Sequence, residues 1–200
     1  MKVVLADYGA GNLRSVCSAL ARAGAEPLVT TDPVQVREAP LAVIAGVGHV
    51  DAAARGLAAA GLDDAVRARD AGGRPTLGIC VGLQLLLGES EEGGRGLGLV
   101  AGRVDRLRAA RVPQMGWNTL RVTRPSALVD GLDGEDVYFA HSYAATPRDE
   151  AVVVATVDHD GEVVAAVEQG SLAGVQFHPE RSGAVGARVL ANVLAWSRSA

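Results

Sequence analysis

The sequence has few aromatic residues and lacks the long apolar runs that mark membrane proteins. Phe, Trp and Tyr together make up 4% of the 200 residues. No stretch approaches the roughly 18 consecutive apolar residues that a membrane-spanning helix needs. The N-terminal segment reaches Asp7 and a turn after one short apolar run, so it has no signal-peptide core. We therefore expect a cytoplasmic protein with no membrane partner.

Cysteine, lysine and excess charge of one sign are also scarce. Cys17 and Cys80 form no C-x-x-C pattern, and a cytosolic compartment would keep both of them reduced. Arg outnumbers Lys by 18 to 1, the formal net charge is −4, and the charged residues are scattered rather than gathered in a basic stripe. These features predict no metal site and no nucleic-acid partner.

The sequence does contain enough apolar material for a folded domain. Hydrophobic residues make up 48% and charged residues 21%, so we expect residues 1–200 to form a single domain. Apolar strand-like segments alternate with helical ones over the first 87 residues, which is typical of βαβ units and a mostly parallel sheet. The predicted strands are residues 2–7, 26–30, 41–46 and 75–79, and the predicted helices are 12–23, 51–71 with breaks at Gly56 and Gly61, and 81–87.

The second half contains shorter strand-like runs that are joined by turn clusters. We interpret them as antiparallel hairpins added to the sheet, followed by an amphipathic helix over residues 183–198. The predicted fold class is therefore α/β, an open and mostly parallel central sheet flanked by helices, with antiparallel strands added in the C-terminal half. The predicted strand-like runs are residues 99–108, 119–123, 137–145, 151–157, 162–169 and 172–177.

Cys80 stands where a predicted strand meets a predicted helix. Gly78 and Gly82 flank it in a G-x-C-x-G pattern, the thiol counterpart of the nucleophile elbow G-x-S-x-G. Such a turn places the thiol at a helix N-terminus, where the partial positive charge favours the thiolate. The backbone N–H of Val81 would face a developing oxyanion. Taken alone, the pattern leaves open whether Cys80 is a nucleophile or a small core residue.

A candidate base for this thiol lies in the segment "GVQFHPERSG", residues 174–183. His178 and Glu180 are two residues apart, so in an extended chain both side chains lie on one side and the carboxylate can reach the imidazole. Pro179 holds that spacing by fixing its own φ and pushing His178 toward extended backbone. A histidine oriented by a carboxylate is the partner that a cysteine nucleophile needs.

These segments resemble a known enzyme family. "GICVGLQLL" and "GVQFHPERSG" are similar to the two signatures of class I, or triad, glutamine amidotransferases, which hydrolyse glutamine and deliver ammonia to a synthase. "DYGAGNLRSV", "VPQMGWN" and "YFAHSYAA" narrow the resemblance to the glutaminase subunits of imidazole glycerol phosphate synthase, in histidine biosynthesis. The resemblance extends over nearly the whole chain.

The resemblance implies a role for each matching position. The implied catalytic residues are Cys80 as nucleophile, His178 as general base and then acid, and Glu180 as the residue that orients it. The oxyanion hole would combine Val81 with Val47 and Gly48, in the "AGVG" segment that begins at Ala45. The implied substrate-binding residues are Gln84, His141, Ser142 and Tyr143, and those at the partner surface or in its control are Asn12, Trp117, Tyr138 and Arg181.

The resemblance also implies L-glutamine as substrate, no cofactor, and a (β/α)8-barrel cyclase as partner in a heterodimer. That cyclase would use the ammonia to convert phosphoribulosyl-formimino aminoimidazole carboxamide ribonucleotide to imidazole glycerol phosphate and an aminoimidazole carboxamide ribonucleotide. Two alternatives are the glutaminase of another synthase, such as pyridoxal phosphate synthase, and a noncatalytic binding module on the same fold.

Three positions depart from the family pattern. Ala45 replaces the usual proline before the oxyanion loop, Gln114 stands where relatives often have histidine, and Arg181 replaces the usual lysine after H-P-E. The change at Ala45 leaves the resting conformation of the loop open. The glycine-rich stretch over residues 88–98 is expected to be a surface loop rather than a phosphate cradle.

Overall fold

The computed structural model describes residues 1–199 of the chain. Its first half alternates parallel strands with helices, as βαβ units require. The elements are β1 (Lys2–Ala6), α1 (Leu13–Arg22), β2 (Glu26–Thr30), α2 (Pro33–Glu38), β3 (Leu41–Gly46), α3 (Val50–Ala59), α4 (Leu62–Ala71), β4 (Thr76–Cys80) and α5 (Val81–Leu86).

The second half is dominated by strands and ends in the longest helix. Two short 3₁₀ turns lie between strands, at Ala127–Val129 and Glu150–Val152, and a third, at Pro179–Arg181, lies between the last strand and the last helix. The elements are β5 (Glu89–Ser90), β6 (Gly102–Arg106), β7 (Gln114–Thr119), β8 (Arg121–Val122), β9 (Asp136–His141), β10 (Tyr143–Pro147), β11 (Val153–Asp158), β12 (Glu162–Gln169), β13 (Leu172–Val175) and α6 (Gly183–Trp196).

The central sheet has eight strands in the order β2-β1-β3-β4-β13-β12-β11-β8. The first five of these strands run parallel to one another, and β12, β11 and β8 are added by antiparallel pairing. Strand β13 links the two halves, because it pairs parallel with β4 and antiparallel with β12. The carboxyl ends of β3, β4 and β13 therefore meet at one edge of the sheet, where α/β folds usually place their ligands.

The predicted fold class is confirmed, with three corrections of detail. Strands β6 and β10, with β5, and strands β7 and β9 form two smaller sheets instead of joining the central one. Gly56 does not break α3; a Cβ there would lie 2.4 Å from the Tyr8 carbonyl oxygen, so glycine allows the helix to approach the β1 end closely. The predicted break at Gly61 is confirmed, with a left-handed φ of 64°.

A third correction concerns the stretch around Trp117. Residues 114–118 lie between the predicted strand-like runs, but residues 114–119 form β7, which pairs antiparallel with β9. Its composition, with Gln, Gly and Asn among Met and Trp, includes a single β-branched residue, Thr119, at its last position, and so marks a strand only weakly in the sequence. Pairing with the more apolar β9 compensates for the weak local preference.

One apolar core runs from Val3 in β1 to Trp196 in α6 and includes both faces of the central sheet. Strands β3 and β4 are buried along their whole length, as expected for parallel strands covered by helices on both sides. Cys17 packs against this core and is partly buried. Among residues 1–199, no helix is long and apolar enough to cross a membrane.

Arg69 is a charged group inside this core. Its guanidinium is fully buried and donates to the backbone oxygens of Val36, Arg37, Ala39 and Pro75, which ties α4 to the end of α2 and the start of β4. Burial lowers its pKa to about 10, so it stays charged at neutral pH. The carbonyl shell replaces water around the cation and makes this burial tolerable.

Candidate active site

Cys80 lies at the tip of a sharp turn between β4 and α5. Its backbone is in a region that L-residues rarely adopt, with φ 55° and ψ −109°, and helix α5 begins at the next residue. A non-glycine residue held at positive φ indicates local strain that the surrounding packing must maintain. The nucleophile-elbow geometry predicted from the sequence is therefore present.

The two glycines beside Cys80 are required by close backbone approach. A Cβ at Gly82 would lie 1.7 Å from the carbonyl oxygen of Ile44 in β3, and one at Gly78 would lie 2.6 Å from the backbone of Gly82. Any side chain at either position would push α5 away from the sheet. The spacing G-x-C-x-G therefore reflects how tightly the first turn of α5 rests on β3 and β4.

His178 and Glu180 lie beside the carboxyl end of β13. His178 Nδ1 is 2.9 Å from Glu180 Oε1, and both side chains are less than one-tenth exposed. The second carboxylate oxygen, Oε2, is buried and has no hydrogen-bond partner among residues 1–199. Because a carboxylate only accepts, this contact places a proton on Nδ1 and leaves Nε2 to interact with Cys80.

The backbone of His178 is held from two sides. Its N–H donates to the carbonyl oxygen of Tyr138 at 2.8 Å, and its own carbonyl accepts from the Ser182 hydroxyl at 2.7 Å. The same hydroxyl accepts from the N–H of Tyr138 at 3.0 Å. Ser182 therefore fixes the position of the imidazole, a contribution that the sequence pattern did not reveal.

The surroundings of His178 favour its protonated form. Burial opposes the charge, but hydrogen bonds to Cys80 and Glu180, together with the negative charges of both, raise the pKa of His178 to about 10. A ring that stays protonated beside the Cys80 sulfur can pair with it as a cation and hold a proton ready on Nε2. The chemistry that this pair can perform is nucleophilic attack by sulfur, followed by proton donation from Nε2.

The loop after β3 forms the opposite wall of the site. The "AGVG" segment begins inside β3, because Ala45 and Gly46 are the last two residues of that strand, as predicted, and pair with Ile79 and Cys80. The Tyr8 hydroxyl also holds the Ala45 carbonyl at 3.0 Å. The loop proper begins at Val47.

Val47 and Gly48 are held much less firmly than the strand before them. Val47 is 49% exposed, and Gly48 has a left-handed φ of 91° with open space where a Cβ would stand. Both residues line the same pocket as Cys80 and Val81. The predicted oxyanion donors are thus brought together around the cysteine.

The pocket around Cys80 has a volume of about 340 Å³, enough for an amino acid. Three of the predicted substrate-binding residues line it, which are Gln84, Ser142 and Tyr143. A larger cleft of about 790 Å³ lies between β6, β10 and β12, but it contains neither Cys80 nor His178. The candidate active site is therefore identified by its reactive side chains and not by the size of the pocket.

His141, the fourth predicted substrate-binding residue, is buried with both ring nitrogens engaged. Nδ1 is 2.9 Å from the carbonyl oxygen of Tyr143, and Nε2 is 2.9 Å from Gln114 Oε1. Burial lowers the pKa of His141 to about 4, despite the hydrogen bond to Tyr143, so the ring is neutral at pH 7. Its predicted contact with substrate would have to come from its backbone.

A neutral His141 ring determines how the Gln114 amide must be oriented. The ring donates from Nδ1, so Nε2 offers only a lone pair and requires a donor. Gln114 Nε2 is buried and lacks a partner when Oε1 faces the ring. Flipping the Gln114 amide by 180° pairs Gln114 Nε2 with His141 Nε2. We therefore infer that Gln114 donates to His141.

Two further residues at the site were missed from the sequence. Glu92, from the glycine-rich loop, lines the pocket and accepts from the backbone N–H of Val50 at 3.0 Å, while its other oxygen is 2.8 Å from His49 Nδ1. Gln176 is fully buried two residues before His178. No local pattern marks either residue, because their partners lie more than 40 positions away in sequence.

The residues expected at the partner surface separate into two groups. Trp117 is 57% exposed, contacts Tyr138 edge-to-face at 6.1 Å between ring centroids, and the Arg181 guanidinium lies 4.1 Å above the same tyrosine ring. Asn12 lies elsewhere as the N-cap of α1, where its side chain accepts from the N–H of Ser15. Within residues 1–199, no cluster of His, Cys, Asp and Glu could hold a metal ion.

The chain is similar to known proteins over nearly its whole length. The family model for glutamine amidotransferase class-I matches residues 4–195. The chain is 48% identical over 202 residues to the imidazole glycerol phosphate synthase subunit HisH of Natronomonas pharaonis, covering 96% of this chain and 93% of that protein. It is 47% identical to the subunit of the same name in Moorella thermoacetica, with 95% and 92% covered.

Solved structures of more distant proteins share the fold. A glutamine amidotransferase crystal structure superimposes with a TM-score of 0.80 at 22% identity, and PurLQS from Thermotoga maritima does so with a TM-score of 0.76 at 22% identity. Each comparison covers 98% of both chains. The chain therefore belongs to the glutamine amidotransferase class-I family, in the same group as the HisH subunits of imidazole glycerol phosphate synthase.

Proposed function

We propose that this chain is the glutaminase subunit of imidazole glycerol phosphate synthase. It hydrolyses L-glutamine to L-glutamate and ammonia, and passes the ammonia to a cyclase subunit. The observation that carries the proposal is the strained Cys80 turn, with an imidazole oriented by Glu180 beside it. The relatives named HisH support the choice of synthase.

The reaction begins with attack of the Cys80 thiolate on the side-chain carbonyl carbon of glutamine. The carbonyl π electrons move to oxygen, and the N–H of Val81 together with the Val47–Gly48 loop stabilise the oxyanion. Protonated His178 then gives its Nε2 proton to the amide nitrogen, and the C–N bond breaks. Ammonia departs, and a γ-glutamyl thioester remains on the Cys80 sulfur.

Hydrolysis of the thioester restores the enzyme. His178, now neutral at Nε2, takes a proton from water as the water oxygen attacks the thioester carbonyl. The C–S bond breaks, glutamate leaves, and the thiolate–imidazolium pair is regenerated. Glu180 keeps the Nδ1 proton in place throughout, so the same ring nitrogen serves both half-reactions.

Ammonia released into water would be protonated and lost, so the reaction requires a second chain over the pocket. We infer that this chain is the (β/α)8-barrel cyclase and that it contacts the surface formed by Trp117, Tyr138 and Arg181. An exposed tryptophan next to a half-buried tyrosine with a stacked arginine is typical of interface anchors. The proposed location is the cytoplasm, and residues 1–200 are proposed to act as one amidotransferase domain.

The proposal predicts glutamate release that depends on both Cys80 and the cyclase. In a reconstituted complex with the cyclase and its ribonucleotide ligand, Cys80→Ala should lower glutamine hydrolysis by at least about 10⁴-fold. Cys17→Ala is the matched control, since this thiol lies outside the pocket, and its rate should equal that of the wild type. Undiminished hydrolysis by Cys80→Ala would contradict the proposal.

The exposed oxyanion loop predicts that the isolated subunit is nearly inactive. The cyclase with its ligand would reorient Val47 and Gly48 so that a backbone N–H joins that of Val81. One oxyanion donor is typically worth about 10²–10³ in rate. Glutamate release by the isolated chain at the rate of the complex would rule out this form of control.

A further inference from the structure

Gln176 places its side-chain amide directly beside the sulfur of Cys80. Its Nε2 lies 3.7 Å from Sγ, and the side chain is fully buried between β13 and His178. The contact is far from local, because 96 positions separate the two residues in sequence. A buried amide with this placement needs an explanation beyond core packing, since a leucine would fill the same space without polar atoms to satisfy.

A backbone carbonyl fixes which end of this amide faces the sulfur. The Tyr143 oxygen can only accept, and it receives a hydrogen bond from Gln84 Nε2 at 2.7 Å. The same Nε2 donates to Gln176 Oε1 at 3.1 Å. Because its oxygen is occupied by Gln84, Gln176 must present its N–H₂ group to Cys80.

The Tyr143 carbonyl has no lone pair left for another arrangement. His141 Nδ1 donates to it at 2.9 Å, in addition to the bond from Gln84. We call the chain Tyr143 C=O, Gln84 and Gln176 the amide relay. Because the Tyr143 carbonyl can only accept, each hydrogen bond of the relay has one possible donor and one possible acceptor. The group of Gln176 that faces the sulfur is therefore a donor.

We propose that Gln176 is a positioning residue for the nucleophile, which orients Cys80 Sγ and stabilises its thiolate form through a hydrogen bond directed by the amide relay. The inference rests on the proposed function for its purpose, but its physical content concerns the thiol alone. A donor near an anionic acceptor favours the ionised state, and the effect is strengthened where water is excluded. His178 then has to supply only part of the stabilisation.

The relay also limits how Gln84 can contact glutamine. Both hydrogens of its amide nitrogen are used within the protein, by Tyr143 and by Gln176. The oxygen of Gln84 is the atom left to act on a ligand in the pocket. Gln84 can therefore accept from an N–H group of the substrate but cannot donate to its carboxylate.

The test measures how fast iodoacetamide alkylates Cys80 as a function of pH, which requires no glutamine turnover. All proteins carry Cys17→Ala, so that one thiol is read. Replacing Gln176 by methionine keeps the side-chain volume and removes the hydrogen-bond donor. The midpoint of the pH profile should then move up by about one pH unit, and the alkylation rate near neutral pH should be about tenfold lower. Gln176→Glu should move it further, because a carboxylate beside the sulfur repels the thiolate.

Gln169→Met is the matched control, because Gln169 is an exposed glutamine whose amide donates to the Leu99 carbonyl instead. Its profile should superimpose on that of the wild type. If the Gln176 variants do not fold, Gln84→Met tests the same relay, since it frees Gln176 to rotate and should also raise the midpoint. An unchanged midpoint in a folded Gln176 or Gln84 variant would overturn the proposal.

The outcomes separate this inference from the proposed function. If the Gln176 variants shift the alkylation profile but the wild-type complex never hydrolyses glutamine, the amide relay is supported and the glutaminase function is rejected. If the wild-type complex hydrolyses glutamine but the Gln176 variants leave the alkylation profile unchanged, the glutaminase function is supported and the amide relay is rejected.

Discussion

The two walls of the pocket differ in how the chain holds them. On one wall, Cys80 and His178 are buried, and hydrogen bonds to Gln176 and Glu180 fix their side chains. On the other wall, Val47 is half exposed and Gly48 has space around its Cα. The difference indicates that the nucleophile is organised by the fold itself, whereas the oxyanion loop has room to be positioned by a partner.

The packing around the two walls gives the same contrast in numbers. A Cβ at Gly82 would lie 1.7 Å from a backbone oxygen, while one at Gly48 would meet nothing within 4 Å. The buried wall therefore tolerates almost no change of backbone. The exposed wall is limited by the torsion angles of Gly48 and not by contact.

Among the changes that compare the two walls, removing the base on the buried wall should have the largest effect. His178→Leu should lower glutamine hydrolysis by the cyclase complex by about 10²–10⁴-fold, since both proton transfers use this ring. His159→Leu is the control, because His159 lies in an exposed turn and contacts the Arg111 carbonyl. Steady-state glutamate release measures both variants, and equal rates for the two would mean that the buried wall is not catalytic.

A methyl group tests the packing contrast between the two walls. Gly82→Ala should lower the free energy of unfolding by at least about 3 kcal/mol, because α5 must move away from β3. Gly48→Ala should cost only about 1–2 kcal/mol, the penalty for a left-handed backbone at a residue with a Cβ. Urea denaturation of the isolated chain gives both values. A larger loss at Gly48 would reverse the comparison.

The neutral ring of His141 gives a smaller effect that depends on pH. Its pKa of about 4 lies below the ordinary value of 6.5, so the unfolded chain binds the proton more readily and stability falls as the pH drops through 6.5. Between pH 7.5 and pH 5 the free energy of unfolding should fall by about 2 kcal/mol from this group.

His141→Gln should remove this part of the pH dependence, while His159→Gln should retain it. Urea denaturation of the three proteins at both pH values isolates the contribution of His141 from that of the carboxylates. Identical pH dependence in the wild type and His141→Gln would show that the buried ring is not held neutral.

The sequence was sufficient for the features whose causes are local. Two glycines around Cys80 predicted a tight turn, and the H-P-E spacing predicted an imidazole held by a carboxylate; the turn and the contact are both present. The extended chain expected for that contact is wrong, because Glu180 reaches the His178 ring from the 3₁₀ turn Pro179–Arg181. Apolar runs of strand length likewise predicted β2, β3 and β12 with their observed bounds. In each case the physical cause lies within a few residues.

Features whose causes lie far apart in the chain were missed or wrongly bounded. Gln176 stands in an apolar run, and its partners Gln84 and Cys80 are more than 90 positions away. Residues 137–145 are predicted as one strand-like run, but they divide into β9 and β10, because β9 pairs with β7 and β10 pairs with β6. Strand β7 likewise depends on β9 and not on its own composition.

The proposed mechanism is tested most directly by capturing the γ-glutamyl thioester that it places on Cys80. The complex with the cyclase is mixed with glutamine, quenched in acid during turnover, digested and analysed by mass spectrometry. We expect a γ-glutamyl group on the peptide containing Cys80 and none on the peptide containing Cys17. Steady hydrolysis with an unmodified Cys80, or a γ-glutamyl group on Cys17 instead, would contradict it.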